Sequence, residues 1–326
     1  MKKRNKRIIS FITSALLIIL AGCSNHDDMM RVPGHYLLNG SLSEYTDQNG
    51  FAYYINGSNA YVARGTNTSL SPQIPSAVTL GGVNYNVTGV YHGGFAHSNI
   101  TSIKLPLSIT TIDYQAFAGS SLTSAVIPCN VSAMGSGAYM NCHSLTAVQF
   151  KNDDSEGGND LGVCGVGSSE PTEDPTGSSS LQVLPDYCFF NDENLKTLSL
   201  PQSLTTVNTC AFQACTSLAK VAFLSNFTTL KKYAFESCKS LTDVYFPNSF
   251  TTASTNTSNC DPHAFYRANS SCVIHLSSLD EDDFSVWSNN TSWRSYNDGG
   301  SSLTLAARTT YDVGLGNDYP TYGHIN

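Results

Sequence analysis

The chain has 326 residues, 13% of them charged, with a net charge of -8 and a pI near 5.4. That length is enough to bury a sizeable core. The acidic balance argues against nucleic acid and anionic membrane surfaces, which are bound through basic patches.

Residues 2–7 supply a basic n-region, and residues 8–20 an apolar run too short for a spanning helix of about 20 residues. The run ends Leu20-Ala21-Gly22-Cys23, which resembles a bacterial lipobox. Small Ala21 and Gly22 suit a peptidase cleft, and Cys23 supplies the thiol for lipidation. Residues 1–22 are therefore expected to be a lipoprotein signal peptide. Each buried acyl CH₂ contributes about 0.8 kcal/mol, so several chains tether the protein without a spanning segment. The acidic stretch Ser24-Asn25-His26-Asp27-Asp28 is similar to the surface-export signal of Bacteroidetes lipoproteins, the alternative being a solvated linker. The resemblance implies an outer-membrane lipoprotein exposed at the cell surface. Residues 23–35 read as its tether.

Two alternating apolar runs flank Asn56-Gly57, a strong hairpin signal. Residues 36–69 are expected to form an N-terminal hairpin cap. Ile74-Pro75 and Val78 then begin an imperfect first repeat, which Gly81-Gly82 interrupts before Val87 and Val90.

From there one skeleton recurs. An aromatic follows a small residue at Phe95, Phe117, Tyr139, Phe189, Phe212, Phe235 and Phe265. The steps are 22, 22, 50, 23, 23 and 30 residues, the long ones being a period plus an insertion. A fixed period in the twenties is the mark of a solenoid. Each repeat holds a short alternating piece, such as Thr197-Leu198-Ser199-Leu200, that reads as a strand with one buried face. Pro106, Pro128, Pro201 and Pro247 end these strands because proline cannot donate to a ladder. The repeats span 70–276. Residues 151–179, rich in Asp, Glu, Gly, Ser and Pro, form a loop insertion, and a smaller one precedes Cys260. At the end, Ser278-Leu279-Asp280-Glu281 is a capping-box pattern. A short helix carrying Phe284, Val286, Trp287 and Trp293 is expected to cover the last coil, within a C-terminal cap and tail at 277–326.

The pattern resembles the BspA-like leucine-rich repeat of bacterial surface proteins, with its skeleton of Leu, apolar-Pro, Ile, Ala-Phe, Cys and Leu. The resemblance implies a mainly β, right-handed leucine-rich-repeat solenoid built on a parallel sheet. It also implies surface display and an adhesive or ligand-binding role, and it brings no catalytic residues.

Ten cysteines invite a disulfide or zinc reading. The phase of the repeat argues against both. Cys142, Cys215 and Cys238 each lie three residues after the phase aromatic, in core slots where a thiol behaves as a small hydrophobe. No C-x₂-C pair exists. Coils stacked at about 4.8 Å would still allow a Cys215–Cys238 bridge. His92 and His97 bracket one turn without a third ligand, and the acidic insertion lacks a calcium-loop pattern. No G-x-S-x-G, H-E-x-x-H, P-loop or dinucleotide fingerprint is present. Neither a metal, a cofactor nor an enzymatic activity is therefore expected.

If the apolar residues of each strand face inward, two columns face out. One runs Ser102, Ser124, Ala147, Thr197, Lys220, Asp243, Val273; the other runs Lys104, Val126, Gln149, Ser199, Ala222, Tyr245, His275. Lys104, Gln149, Thr197, Ser199, Lys220, Asp243, Tyr245 and His275 are the candidate ligand-binding face, solvated sheet residues being the plain alternative. The expected function is a non-enzymatic binding or adhesion module that recognises a host or microbial protein or glycan. A carbohydrate-binding accessory of a glycan-uptake system and a structural envelope protein are the alternatives.

Overall fold

The computed structural model describes residues 43–150, 180–224, 226–247, 250, 261, 263–276 and 303–307. The expected helix at 278–293, the insertion at 151–179 and the lipobox with Cys23 lie outside these residues. Every named element is a strand: the helical cap finds no support in the described residues.

The expected hairpin forms. Strands β2 (Ala52–Asn56) and β3 (Asn59–Ala63) pair antiparallel around Gly57, whose φ is 63°. Strand β1 (Ser43–Thr46) pairs antiparallel with β2. A second hairpin follows where the sequence suggested an interrupted repeat. Strands β4 (Ala77–Leu80) and β5 (Val83–Val90) are antiparallel, with Leu80 opposite Val83. Gly81 and Gly82 make its two-residue turn, with φ of 60° and 83°. Both central positions of a type I′ turn need positive φ, so the glycine pair is turn chemistry. Strand β3 then pairs in parallel with β5, joining the first hairpin to the stack.

From β5 onward the chain coils. One strand column, the back, runs through β5, β6 (Thr111–Ile112) and β8 (Ala133–Met134). It resumes with β10 (Val183–Leu184), β12 (Thr206–Val207) and β14 (Thr229–Leu230). The other, the front, runs through β7 (Ser124–Ile127), β9 (Ala147–Phe150) and β11 (Thr197–Ser199). It resumes with β13 (Lys220–Ala222), β15 (Asp243–Phe246), β16 (Val273–Leu276) and β17 (Thr304–Ala307). All these pairings are parallel. Each column therefore falls into two sheets.

The corner between back and front strands is continuous. Phe95, Phe117, Tyr139, Phe189, Phe212, Phe235 and Phe265 stack in one file, centroids 4.9–5.6 Å apart and planes within 21°. Each is at most 1% exposed. The N–H of each of the first six donates to the carbonyl before the next ring, as from Phe189 to Ala211 and from Phe212 to Ala234, both at 2.8 Å. Two residues before and two after each of the first six aromatics, the backbone turns left-handed. Around Phe212 these are Cys210 (φ 57°) and Ala214 (φ 63°), and around Phe189 Tyr187 (φ 57°) and Asn191 (φ 61°). Every second N–H at the corner, as at Cys210, Phe212 and Ala214, meets a carbonyl of the next coil, while the N–H groups between them, at Ala211 and Gln213, close turns within their own coil.

The cysteine slots fit this spine. The Sγ–H of Cys142, Cys215 and Cys238 donates to the carbonyl of the preceding coil's aromatic, Phe117, Phe189 and Phe212, at 3.1–3.2 Å. All three are free and buried. A Cys215–Cys238 bridge is therefore not formed. Burial pushes the Cys142 thiol up to about 12, the Asp192 carboxylate adding to the shift and Ser120 opposing it. The phase argument against disulfides fails at one residue: Cys129 is disulfide-bonded, its partner lying outside the described residues. Cys129 follows Pro128 at a strand end and is not in the slot after the aromatic, so the slot argument does not reach it.

Ser and Thr hydroxyls reinforce the stack on its outside. Thr146 Oγ1 donates to the Thr123 carbonyl at 2.9 Å, and Thr123 Oγ1 to the Thr101 carbonyl at 3.1 Å. Each of these carbonyls also accepts the backbone N–H of the same threonine. A chain poor in charge is thus held between coils by short uncharged donors.

Candidate functional site

The front strands position the candidate face. In β15 and β16 inward Val244, Phe246, Ile274 and Leu276 are buried, and period-2 alternation turns Asp243, Tyr245 and His275 outward. The register places Lys220 opposite Asp243, and Tyr245 opposite His275. Directly opposed side chains on neighbouring strands are within contact range.

These four residues form one cluster. The Tyr245 and His275 rings stack with centroids 4.3 Å apart and 11° between planes. His275 also reaches its diagonal neighbour: Nε2–H donates to Asp243 Oδ1 at 2.8 Å. Thr242 Oγ1 donates to Asp243 Oδ2 at 2.8 Å, so both carboxylate oxygens are held. Partial burial alone would raise the Asp243 carboxyl. The hydrogen bonds from His275 and Thr242, with the charges of His275 and Lys220, bring it below its usual value. Asp243 is therefore a fixed anion. Its side chain and that of His275 are each 22% exposed, open enough to meet a ligand and buried enough to be held.

The other candidates are spread along the columns. Gln149 lies opposite Ser199 and Val126, and Thr197 opposite Ala147. Lys104 joins the front only through a parallel bridge to Gln73. Six coil steps separate it from His275, about 29 Å at 4.8 Å per step, so it belongs to no common site with the cluster. Ser199 is corrected: it is 0% exposed and offers no surface. Its short side chain sits opposite the longer Gln149 and cannot project past it. The next residue in its column, Ala222, is 2% exposed for the same reason of size beside Tyr245. Alternation gives a residue's direction; reach past its neighbours depends on side-chain length.

The cluster sets an aromatic pair, a fixed carboxylate and a lysine on one sheet. An Asp–His couple also orients imidazoles in hydrolytic sites, but no hydroxyl or thiol is bonded to this imidazole among the described residues. No group of three His, Cys, Asp or Glu that could hold a metal occurs among the described residues. No helix among them is long and apolar enough to cross a membrane.

Sequence reasoning passed over a second aromatic group, on the outer face of the N-terminal strands. Tyr54 stacks on Tyr91 with centroids 3.7 Å apart, and Tyr91 lies 4.1 Å from His92. The signal was the pair Tyr54 and Tyr61, which the Asn56-Gly57 turn places directly opposite each other.

Residues 82–160 and 171–292 match the BspA type leucine rich repeat region, in six copies. No curated protein matches the sequence. Among solved structures, the chain is similar to a leucine-rich repeat protein from Eubacterium ventriosum at 22% identity and a TM-score of 0.48, covering 65% of this chain. The chain spans about half, 48%, of that protein. A leucine-rich repeat protein from Bacteroides ovatus is similar at 16% identity and a TM-score of 0.35, with 84% of this chain and 68% of that one covered. A leucine rich cell surface protein from Faecalibacterium prausnitzii is similar at 16% identity and a TM-score of 0.26, with 81% and 100% covered.

Proposed function

The chain belongs to the BspA-type leucine-rich repeat family, and from that premise we propose that it is a non-enzymatic binding module of the cell surface. It recognises a host or microbial protein or glycan through the front sheet, at Lys220, Asp243, Tyr245 and His275, with Thr197 and Gln149 alongside. The lipobox-like Leu20-Ala21-Gly22-Cys23 supports a lipid anchor at Cys23, and the acidic Asp27-Asp28 after it supports display at the cell surface.

The observation that carries this reading is the stacked Tyr245–His275 pair fixed to Asp243. A solenoid binds through extended surfaces of this kind, and side chains already held in place lose less freedom on binding. The test is a screen of the protein against extracellular-matrix proteins, mucins and a glycan array, repeated with Tyr245→Ala and Lys220→Ala. A partner lost in both variants supports the site. A partner bound equally well by both overturns it.

A further inference from the structure

The outer face of the N-terminal strands carries an aromatic surface outside the core. Across β1, β2, β3 and β5 the register runs Glu44, Tyr54, Tyr61, Gly89. The Tyr61 ring lies over Gly89 and fills the space a side chain there would take: a Cβ on Gly89 would sit 2.3 Å from Cδ1 and 2.5 Å from Cε1. Only glycine lets the ring lean across the strand in this way. Beside it rises the stack of Tyr54, Tyr91 and His92. Tyr54, Tyr61 and Tyr91 are each part-exposed and His92 is exposed. The Tyr61 ring on Gly89 and the Tyr54–Tyr91 stack thus stand on neighbouring strands of one face.

The charge around this corner is of one sign. Glu44, an exposed carboxylate, stands opposite Tyr54. Asp113, 4% exposed, lies just after β6 and holds the Tyr114 N–H at 2.6 Å. Burial raises the hydroxyls of Tyr54, Tyr61 and Tyr91. The nearby negative charge raises them further, Glu44 acting on Tyr54, Asp113 on Tyr61, and both on Tyr91. Arg64 turns elsewhere, its guanidinium bonded to the Asn67 carbonyl and the Asn99 side chain.

Aromatic faces carry negative charge above the ring, and a cation held over them gains from both the quadrupole and neighbouring carboxylates. The geometry points to this corner as a second binding site, distinct from the front sheet, that takes an arginine or lysine side chain of a partner protein on Tyr61, beside Tyr54, Tyr91 and the exposed carboxylate of Glu44, with buried Asp113 adding negative charge without touching the ligand. The site is charge-complementary to such a partner without a change of shape. It stands whether or not the front sheet binds anything.

The test titrates the full chain with a short peptide of alternating glycine and arginine, and with the same peptide carrying neutral citrulline in place of arginine. The arginine peptide is expected to bind, more weakly as salt rises, and the citrulline peptide to lose about tenfold in affinity. Tyr61→Ala should lose a similar factor, although it leaves the protein's charge unchanged and so isolates the ring from general attraction to an acidic protein. Tyr61→Phe should retain binding, and Gly89→Ala should lose it by displacing the ring. Tyr245→Ala should have no effect, which separates this site from the front sheet. Equal binding of the two peptides would overturn the proposal, as would an unchanged affinity in Tyr61→Ala. Tyr61-dependent binding of a neutral oligosaccharide in preference to the arginine peptide would also overturn it, reassigning the site to glycans.

Discussion

Tyr139 and Phe189 are 50 residues apart in the chain, yet their rings stack at 5.5 Å and 16°, no differently from those of adjacent repeats. The backbone follows suit: Tyr139 N–H donates to the Cys188 carbonyl at 2.9 Å. The insertion between them therefore leaves the corner spine unbroken, and the front pairing of β9 with β11 also spans it; the back column breaks there between β8 and β10, and the front column one coil later between β11 and β13. The spine, more than the sheets, carries the register of the molecule.

Phe212 tests that conclusion most directly, since it packs on Phe189 and Phe235 at once. Phe212→Ala is expected to cost about 3–5 kcal/mol, the range for emptying a fully buried aromatic site. Urea unfolding followed by circular dichroism measures it. A cost near that of an exposed substitution would show that the stack is incidental.

The thiols give a second prediction. Cys142, Cys215 and Cys238 are buried, free and bonded to carbonyls, and burial raises their pKa values. A thiolate is the reactive form. A thiol-titrating reagent should therefore leave all three unmodified in the native protein at neutral pH and modify them on unfolding, as peptide mapping would record. Cys215→Ala should cost about 1 kcal/mol through the lost donor to Phe189.

Glu236 gives a pH dependence. It is 4% exposed and accepts Gln213 Nε2–H at 2.7 Å. Burial pushes its carboxyl from 4.5 up to about 7, against the opposing charges of Arg267, Lys239, His263 and Lys232. A raised folded-state pKa means the native state holds the proton more tightly than the unfolded chain. The contribution is then full below 4.5 and is lost as pH rises through about 7. Glu236→Gln should remove that slope. The mutant's advantage over the parent should grow to the order of 2–3 kcal/mol between those limits. Denaturation midpoints measured across the interval would show it, and parallel curves would refute it.

Ala214 sits at φ 63°, a conformation that costs an ordinary L residue about 1–2 kcal/mol and glycine almost nothing. Ala214→Gly should therefore stabilise the protein by up to about 1 kcal/mol, the remainder offset by glycine's freedom in the unfolded chain. A lower thermal midpoint in the variant would contradict this.

Much of this arrangement was legible in the sequence because burial repeats. The seven phase aromatics, the cysteine slots and the two outward columns follow from period alone, and the register of Lys220 with Asp243 and of Tyr245 with His275 is the one that phase implies. What was not legible depends on neighbours. Ser199 alternates outward but stays covered beside Gln149. The diagonal bond from His275 to Asp243 depends on a rotamer. Gly81-Gly82 looked like a break because a two-residue turn and a gap in a repeat share the same residues. Left-handed turns at Tyr187, Cys210 and Tyr233 carry no glycine to announce them. Only the stacking of the next coil imposes them.

That spine has a direction. At this corner each coil turns alternate N–H groups toward the coil that follows, and its matching carbonyls accept from the one before. Two coils so made are interchangeable as neighbours. A gene that gains or loses one whole period, cut at matching left-handed residues, yields a chain whose new junction is chemically the same as the old ones. A step of 22 or 23 residues then preserves the backbone bonding between coils and changes stability by one repeat and one interface. The two faces proposed for binding can be moved apart or together in increments of one coil, so the reach of this molecule can change without a redesign of its core.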